Sequence, residues 1–222
     1  MIFNPGLAQF RRGLISAIQP RVRHAAALIL LVLAAACAPI SSGAQKAELP
    51  VAAQEAFFDR LQALCGKAYE GRIASVPAAS DAAFAGKRLV MQVRDCSADT
   101  IRVPFHVGDD RSRTWVISRT PVGLRLKHDH RHEDGSEDAL TQYGGDTTDA
   151  GTAERQQFPV DQFSKDLFNR QNAAVSTTNI WAMEVRPGSF FAYELRRPGR
   201  HFRVEFDLSQ SVAAPPPPWG SR

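Results

Sequence analysis

A hairpin pattern near the end of the chain restricts the possible folds more than any other feature. Pro198 and Gly199 separate two alternating runs, and they suit the centre of a type II turn because Pro fixes φ and Gly accepts a positive φ. Pairing residue 197 with residue 200 predicts three apolar pairs on one face: Leu195 with Phe202, Tyr193 with Val204 and Phe191 with Phe206. The opposite face is mainly charged, so the pattern predicts an antiparallel sheet with one dry side and one wet side. A register shift of one residue would bury those charges.

A second hairpin is predicted around the turn at residues 120–123. Pairing Arg119 with Leu124 sets Ile117 opposite Leu126 and predicts further pairs toward the other end of the hairpin. These pairs are Trp115 with His128, Arg113 with His130, and Arg111 with His132. The predicted inward face therefore begins apolar and becomes cationic and rich in imidazole.

Similar runs recur through most of the chain, separated largely by Gly, Pro or Asp. The predicted strands are 67–76, 88–94, 100–107, 112–119, 123–132, 138–143, 152–158, 174–186, 189–197 and 200–208. Apolar stripes predict an opening helix at 51–64 and an internal helix at 160–171. About ten strands with one apolar face each need closure or a second sheet, and short hairpins favour closure. The sequence therefore predicts a mainly β fold, a single antiparallel meander barrel with one N-terminal and one internal helix.

This layout resembles that of lipocalin or calycin-type barrels. The stretch 66–71 (GKAYEG) is similar to the lipocalin Gly-x-Trp start, but it has no Trp. The strings at 124–138, 144–147 and 191–208 also resemble those of an uncharacterised group of exported bacterial proteins. The first resemblance implies the barrel layout. The second implies export and nothing about mechanism.

The N-terminal segment differs from the rest of the chain in its charge. Four arginines and no carboxylate precede residue 37, so the remainder holds 23 basic residues (27 − 4) against 23 acidic ones. A neutral body lacks the long-range field that attracts nucleic acid, so we expect no nucleic-acid partner. The cationic residues 11–24 run into an apolar stretch at 25–36, which is typical of a secretory signal. That stretch is too short for a transmembrane helix, which needs roughly 20 residues.

Residues 33–38 (LAAACA) resemble the lipobox of bacterial lipoproteins, in which the cysteine is acylated and becomes the mature N-terminus. The resemblance implies a signal peptide at 1–36, a lipidated Cys37 that anchors the protein to the membrane, and a tether up to residue 50. Ala38 implies sorting to the outer membrane, facing the periplasm, although Ala34 stands where the family usually has Leu. Ordinary cleavage near Ala36 is the alternative, and it predicts a soluble periplasmic or secreted protein.

The other two cysteines, Cys65 and Cys96, form an even pair in a chain predicted to enter an oxidising compartment. We therefore predict a disulfide between them, with two unconnected buried thiols as the alternative. The barrel domain is expected to span 51–209, and the Pro-rich segment 210–222 is expected to be a disordered tail.

Three of the six histidines, His128, His130 and His132, alternate along one predicted strand and so point the same way. Neighbouring members are close enough to share a zinc ion, but the outer two, roughly 13 Å apart, are not. Another ligand is needed, and His106 is expected to face water on the opposite side of its strand. We predict no metal or other cofactor, with a zinc site at His128, His130 and Asp134 as the alternative.

The same strand end supports a binding hypothesis. Arg111, Arg113 and the three histidines form a predicted rim of cationic or protonatable groups above an apolar wall that includes Trp115. Such a lining suits a small hydrophobic or amphipathic ligand with its tail inward and a carboxylate or phosphate at the rim. A solvated ion-pair network at the rim is the alternative. Because histidine titrates near neutrality, binding would weaken above about pH 6.5 if imidazolium contributes.

Common enzyme motifs are absent from the sequence, which has no G-x-S-x-G, H-E-x-x-H, Walker loop or G-x-G-x-x-G after a strand. The sequence therefore favours a non-catalytic, envelope-anchored binding protein. One alternative is a metal-dependent or hydrolytic enzyme that uses His128 and His130. Another is an envelope interaction module with a filled core and no ligand.

Overall fold

The computed structural model describes residues 45–76 and 78–221. The predicted signal peptide, the lipobox with Cys37 and the start of the predicted tether lie outside these residues. Helix α1 (Gln45–Gln62) begins within the segment assigned to the tether, and helix α2 (Gln162–Arg170) lies late in the chain. Short 3-10 helices occupy Ala79–Phe84 and Ala174–Thr178. No helix in this part of the chain is both long and apolar enough to cross a membrane.

The sheet confirms the predicted antiparallel meander. The strands are β1 Ala68–Ile73, β2 Leu89–Gln92, β3 Asp95–Cys96, β4 Thr100–Val107, β5 Asp110–Thr120, β6 Gly123–His130, β7 Tyr143–Asp146, β8 Arg155–Pro159, β9 Ile180–Arg186, β10 Phe190–Arg197 and β11 Arg200–Asp207. Ten of them follow the order β7-β6-β5-β4-β2-β1-β11-β10-β9-β8, and β3 pairs with β4 beside this path. The fold is mainly β, with one N-terminal and one internal α-helix.

Strands β7 and β8, at the two ends of this order, come together and nearly close the barrel. A Cβ on Gly145 would overlap the carbonyl oxygen of Pro159, so only glycine permits this approach. Helix α2 spans the remaining gap, because the Ser164 hydroxyl accepts from the Gly144 N–H at 2.8 Å and donates to the Gly144 carbonyl at 3.1 Å. The Asp161 amide donates to the same carbonyl at 3.0 Å. The edge groups of β7 thus find partners without a ladder to β8.

Both predicted hairpin registers are confirmed. The β10–β11 ladder pairs Leu195 with Phe202 and continues to Phe191 with Phe206. The β5–β6 ladder ends at the Arg113–His130 pair, so the predicted opposition of Arg111 and His132 is not part of it. The His132 amide donates instead to Ser136 in a turn.

Two predicted strand segments are wrong. Residues 138–142 lie outside any ladder, because the Asp138 carboxylate accepts from the Leu140 amide at 2.7 Å and turns the chain before β7 begins. Residues 174–178 form a 3-10 helix, and β9 begins only at Ile180. In both places a local hydrogen bond competes with strand pairing.

Helix α1 covers the barrel end at the β5–β6 turn. Phe57, Phe58 and Leu61 are completely buried. The Arg119 guanidinium lies 3.8 Å from the centre of the Phe58 ring and donates to Glu55 at 2.8 Å. The predicted disulfide is confirmed, since Cys65 and Cys96 are bonded and join the segment after α1 to β3.

The C-terminal segment, predicted to be disordered, lies across the outer wall of the barrel. The Val212 amide donates to the Ala68 carbonyl at 2.8 Å and the Trp219 amide donates to the Arg111 carbonyl at 3.1 Å. Proline-rich chain loses little entropy on ordering, so a few such bonds hold it. His106 points outward, as expected, but it is buried rather than hydrated because this segment covers it.

A buried carboxylate stabilises the outer face of β9, β10 and β11. The side chain of Glu194 is only 2% exposed and contacts Arg155, Arg196 and Arg203. Burial alone would raise the pKa of Glu194, but the hydrogen bond and charge of Arg155, with Arg203 and Arg196, hold it below its usual value.

We expect Glu194→Gln to lower the free energy of unfolding by about 2 kcal/mol at pH 7, because three guanidiniums lose their common partner. Chemical unfolding measures this change. A depressed carboxyl pKa contributes stability above the unfolded value, and this contribution disappears as the pH falls through the native pKa. The difference between the two proteins should therefore shrink below about pH 4.5. Glu205→Gln, at a more exposed partner of Arg203, is the control and should cost clearly less. Equal losses for the two variants would contradict the prediction.

Candidate functional site

A pocket of about 350 Å³ lies at the barrel end away from α1. Strands β4, β5, β6, β7, β9, β10 and β11 contribute to its walls, together with α2 and the 3-10 helix Ala79–Phe84, and the 3-10 helix Ala174–Thr178 lies at its mouth. The pocket is at the small end of the range for protein ligand sites.

Eight of the twenty residues that line the pocket are aromatic: Phe84, Phe105, Trp115, Tyr143, Phe168, Trp181, Tyr193 and Phe202. Trp115 is central to this wall, since its ring stacks on Tyr193 with centroids 4.4 Å apart and on Phe105 with centroids 5.0 Å apart. Because the rings pack on each other, their positions are fixed before any ligand enters. The wall therefore offers a rigid apolar surface.

His128 lies at the inner end of the pocket, where both ring nitrogens are engaged. Its Nδ1 is 3.1 Å from the Tyr143 carbonyl oxygen, which only accepts, so Nδ1 carries the proton. Its Nε2 is 2.8 Å from the Tyr193 hydroxyl, which therefore donates to it in the neutral ring. His128 thus orients the Tyr193 hydroxyl and forms a side-chain hydrogen bond from β6 to β7. Neither ring nitrogen has a free lone pair.

The histidines of the pocket are uncharged near neutral pH. Burial, with the neighbouring His130 next, lowers the pKa of His128 to about 3. Burial and the charge of Arg113 lower the pKa of His130 to about 4. The sequence-based expectation was that binding weakens above about pH 6.5 as imidazolium loses its proton. His128 and His130 do not support it, because both rings are already neutral at that pH. The Nε2 of His130 is instead 3.1 Å from the Tyr143 hydroxyl.

Three guanidiniums surround the mouth of the pocket. Arg113 donates to Asp110 at 2.5 Å, and Arg200 donates to Asp81 at 2.6 Å. Among the described residues, Arg197 hydrogen-bonds to two neutral oxygens, one from Ser176 and one from Asn179, each 3.3 Å from its Nη1. The mouth is therefore cationic because of arginine rather than histidine.

The structure brings together four of the six residues predicted to bind a ligand. Arg113, Trp115, His128 and His130 line the pocket. Arg111 does not, because its side chain donates to the Pro217 carbonyl of the C-terminal segment on the outer wall. His132 is exposed beyond the end of the ladder, 3.9 Å from Asp138.

The alternative metal set is not assembled. Asp134 is exposed and accepts hydrogen bonds from Ser136 in a surface turn. The centroids of the His128 and His130 rings are 6.4 Å apart. Within residues 45–76 and 78–221, no three His, Cys, Asp or Glu side chains are placed to hold a metal ion.

Sequence analysis missed Arg197 and Arg200, although a signal for them exists. The alternation that places Tyr193 and Leu195 inward continues to Arg197, and Arg200 is its cross-strand partner. The prediction stopped at the last apolar pair of the hairpin. Tyr143 was missed because its strand was placed too early in the chain.

Comparison of the chain with protein-family models, with curated proteins and with solved structures found no match.

Proposed function

We propose that this protein binds a small amphipathic ligand, with its apolar part among the aromatic rings and an anionic group at the mouth. The observation that carries the proposal is the pocket itself, which combines a preorganised aromatic wall with three guanidiniums at its opening. A barrel of this kind is compatible with a ligand-binding protein. An open pocket of about 350 Å³ favours this function over an interaction module with a filled core.

We keep export as part of the proposal, with the protein anchored to the membrane through an acylated Cys37 or released after cleavage near Ala36. Its support is the sequence of the N-terminal segment. A binding protein in the envelope would meet its ligand on the periplasmic side. The intact mass of the mature protein tests acylation directly.

Binding is tested with the fluorescent probe 8-anilinonaphthalene-1-sulfonate and a substitution that fills the pocket. Ala173 lines the pocket mouth, whereas the next residue, Ala174, is exposed outside it. We expect Ala173→Trp to weaken probe binding at least about tenfold, because an indole there occupies the space. Fluorescence titration of the folded protein measures the change, and near-UV circular dichroism checks the fold.

Ala174→Trp is the matched control and should change probe affinity by less than about twofold. A wild-type protein that does not bind the probe, or two variants with equal affinity, would overturn the proposal. Elemental analysis of the purified protein tests the zinc alternative in the same samples. Stoichiometric zinc, lost in His130→Ala, would favour a metal-dependent enzyme.

A further inference from the structure

Across the described ranges, two of the three arginines at the pocket mouth pair with a carboxylate and the third does not. This difference indicates the charge of the ligand, which the proposed function leaves open. This inference rests on that function. Arg113 and Arg200 each have a carboxylate partner within 2.6 Å. Arg197 has no carboxylate within 4 Å in the part of the chain that the structure describes.

Arg197 has donors to spare. Only its Nη1 is hydrogen-bonded to other described residues, and the two bonds of 3.3 Å to Ser176 and Asn179 are long. Burial lowers the pKa of Arg197, the nearby charge of Arg200 lowers it further, and the charge of Asp81 offsets these two effects only in part. An anionic group of a ligand would relieve both penalties.

Arg200 places a second guanidinium beside Arg197. It is the cross-strand partner of Arg197 in the β10–β11 ladder, and it lines the same pocket. Its Nε is buried without a hydrogen-bond partner among the described residues. Asp81 pairs with Arg200 and also acts on Arg197 from a greater distance, so the two guanidiniums share one carboxylate and keep a net positive charge of one.

The other side of the mouth disfavours a second negative charge. Asp138 lines the pocket there, next to His130, and its amide donates to the His130 carbonyl at 3.0 Å. A carboxylate close to the opening repels a dianion. The mouth therefore suits a ligand with one negative charge, placed next to Arg197.

The aromatic lining and the volume of the pocket indicate the shape of the apolar part of the ligand. Eight aromatic side chains line a space of about 350 Å³, which is the volume of roughly a dozen water molecules. Flat rings gain stacking and edge-to-face contacts from such a wall that an alkyl chain does not gain. Since a cavity of about 150 Å³ holds one benzene ring, two fused rings fit in this space.

We propose that the ligand is an aromatic monocarboxylate whose carboxylate is bound by Arg197, with its ring system against Trp115 and Tyr193. A guanidinium binds a carboxylate through two parallel N–H donors, which suits Nε and Nη2 of Arg197, since neither is hydrogen-bonded to another described residue. Arg197 is thus the residue that selects for charge, and the aromatic wall selects for shape.

The test compares four probes by titration calorimetry at pH 8: naphthalene-2-carboxylate, the neutral naphthalene-2-methanol, 2-naphthyl phosphate and decanoate. We expect the carboxylate to bind at least about tenfold more tightly than the alcohol, because a hydrogen bond between charged groups is replaced by a neutral one. The phosphate and decanoate should each bind more weakly than the carboxylate.

Arg197→Gln should weaken the binding of naphthalene-2-carboxylate at least about tenfold. It should change the affinity for naphthalene-2-methanol by less than about twofold. Arg196→Gln is the matched control, since Arg196 is adjacent in sequence but pairs with Glu194 on the outer face. It should leave the affinities of both probes unchanged.

The outcomes separate this inference from the proposed function. Equal binding of the carboxylate and the alcohol, or equal loss of both in Arg197→Gln, overturns the role of Arg197. If 2-naphthyl phosphate binds more tightly than naphthalene-2-carboxylate, the ligand is not restricted to one negative charge. If decanoate binds more tightly than naphthalene-2-carboxylate, the ligand does not need an aromatic ring system. Each of these leaves the pocket as a ligand site, whereas no binding of any probe overturns the proposed function as well.

Discussion

Lowering the pH from 7 to 5 is expected to reduce the free energy of unfolding by an amount on the order of 5 kcal/mol. The reason is the burial of His106, His128 and His130, whose pKa values are lowered to about 4, about 3 and about 4. In the unfolded chain these rings take up protons below about pH 6.5, whereas in the native protein they stay neutral until the pH is much lower. The unfolded state therefore binds more protons in this window, and stability falls as the pH falls.

Urea unfolding at pH 5, 6, 7 and 8 measures this dependence, and His106→Leu identifies its source. The Nε2 of His106 is buried without a partner among the described residues, so the substitution removes no hydrogen bond from it. We expect this variant to lose roughly a third of the pH dependence, since one of the three rings with a lowered pKa is removed. His132→Gln, at an exposed ring, should leave the wild-type dependence in place. A free energy of unfolding that is constant from pH 8 to pH 5 would contradict the prediction.

Removing the disulfide should cost about 3–4 kcal/mol of stability, because it no longer restricts the unfolded chain. Cys65 and Cys96 are 31 residues apart in sequence, and their Cα atoms are 6.4 Å apart in the fold. The double variant Cys65→Ser with Cys96→Ser tests this in chemical unfolding. The effect is large for this domain because the bond holds the chain directly after α1 against the barrel.

Reduction of the wild-type protein provides the matched measurement. Dithiothreitol should lower the stability of the wild type nearly to that of the double variant and leave the double variant unchanged. If the reductant and the substitutions together change the midpoint by less than the error of the titration, the bond contributes nothing to stability.

Several parts of the structure follow directly from local sequence pattern. A period of two fixes which side chains share a face, and a turn fixes the register, so the pairs of Leu195 with Phe202 and Trp115 with His128 were predictable. The barrel followed because many one-sided strands need closure. The disulfide followed from the number of cysteines and the predicted export.

The candidate site was predictable only in part, because its members come from elements that are distant in sequence. Arg197 and Ser176 meet only when the 3-10 helix Ala174–Thr178 packs beside the β10–β11 turn. The neighbouring charge on Arg200 is neutralised by Asp81, which lies 119 residues away in the chain. No local pattern contains that information.

By itself, the sequence determined the β5–β6 and β10–β11 registers and the face on which Trp115 and His128 lie, since these depend on residues within one hairpin. Only the tertiary structure decided which arginines pair with a carboxylate and which histidine rings are shielded from water. His106 lies on an outward face, yet it is buried because the C-terminal segment covers it. The physical reason is that side-chain direction is set by the local backbone, whereas solvation and pairing depend on whatever packs against the side chain from elsewhere in the fold.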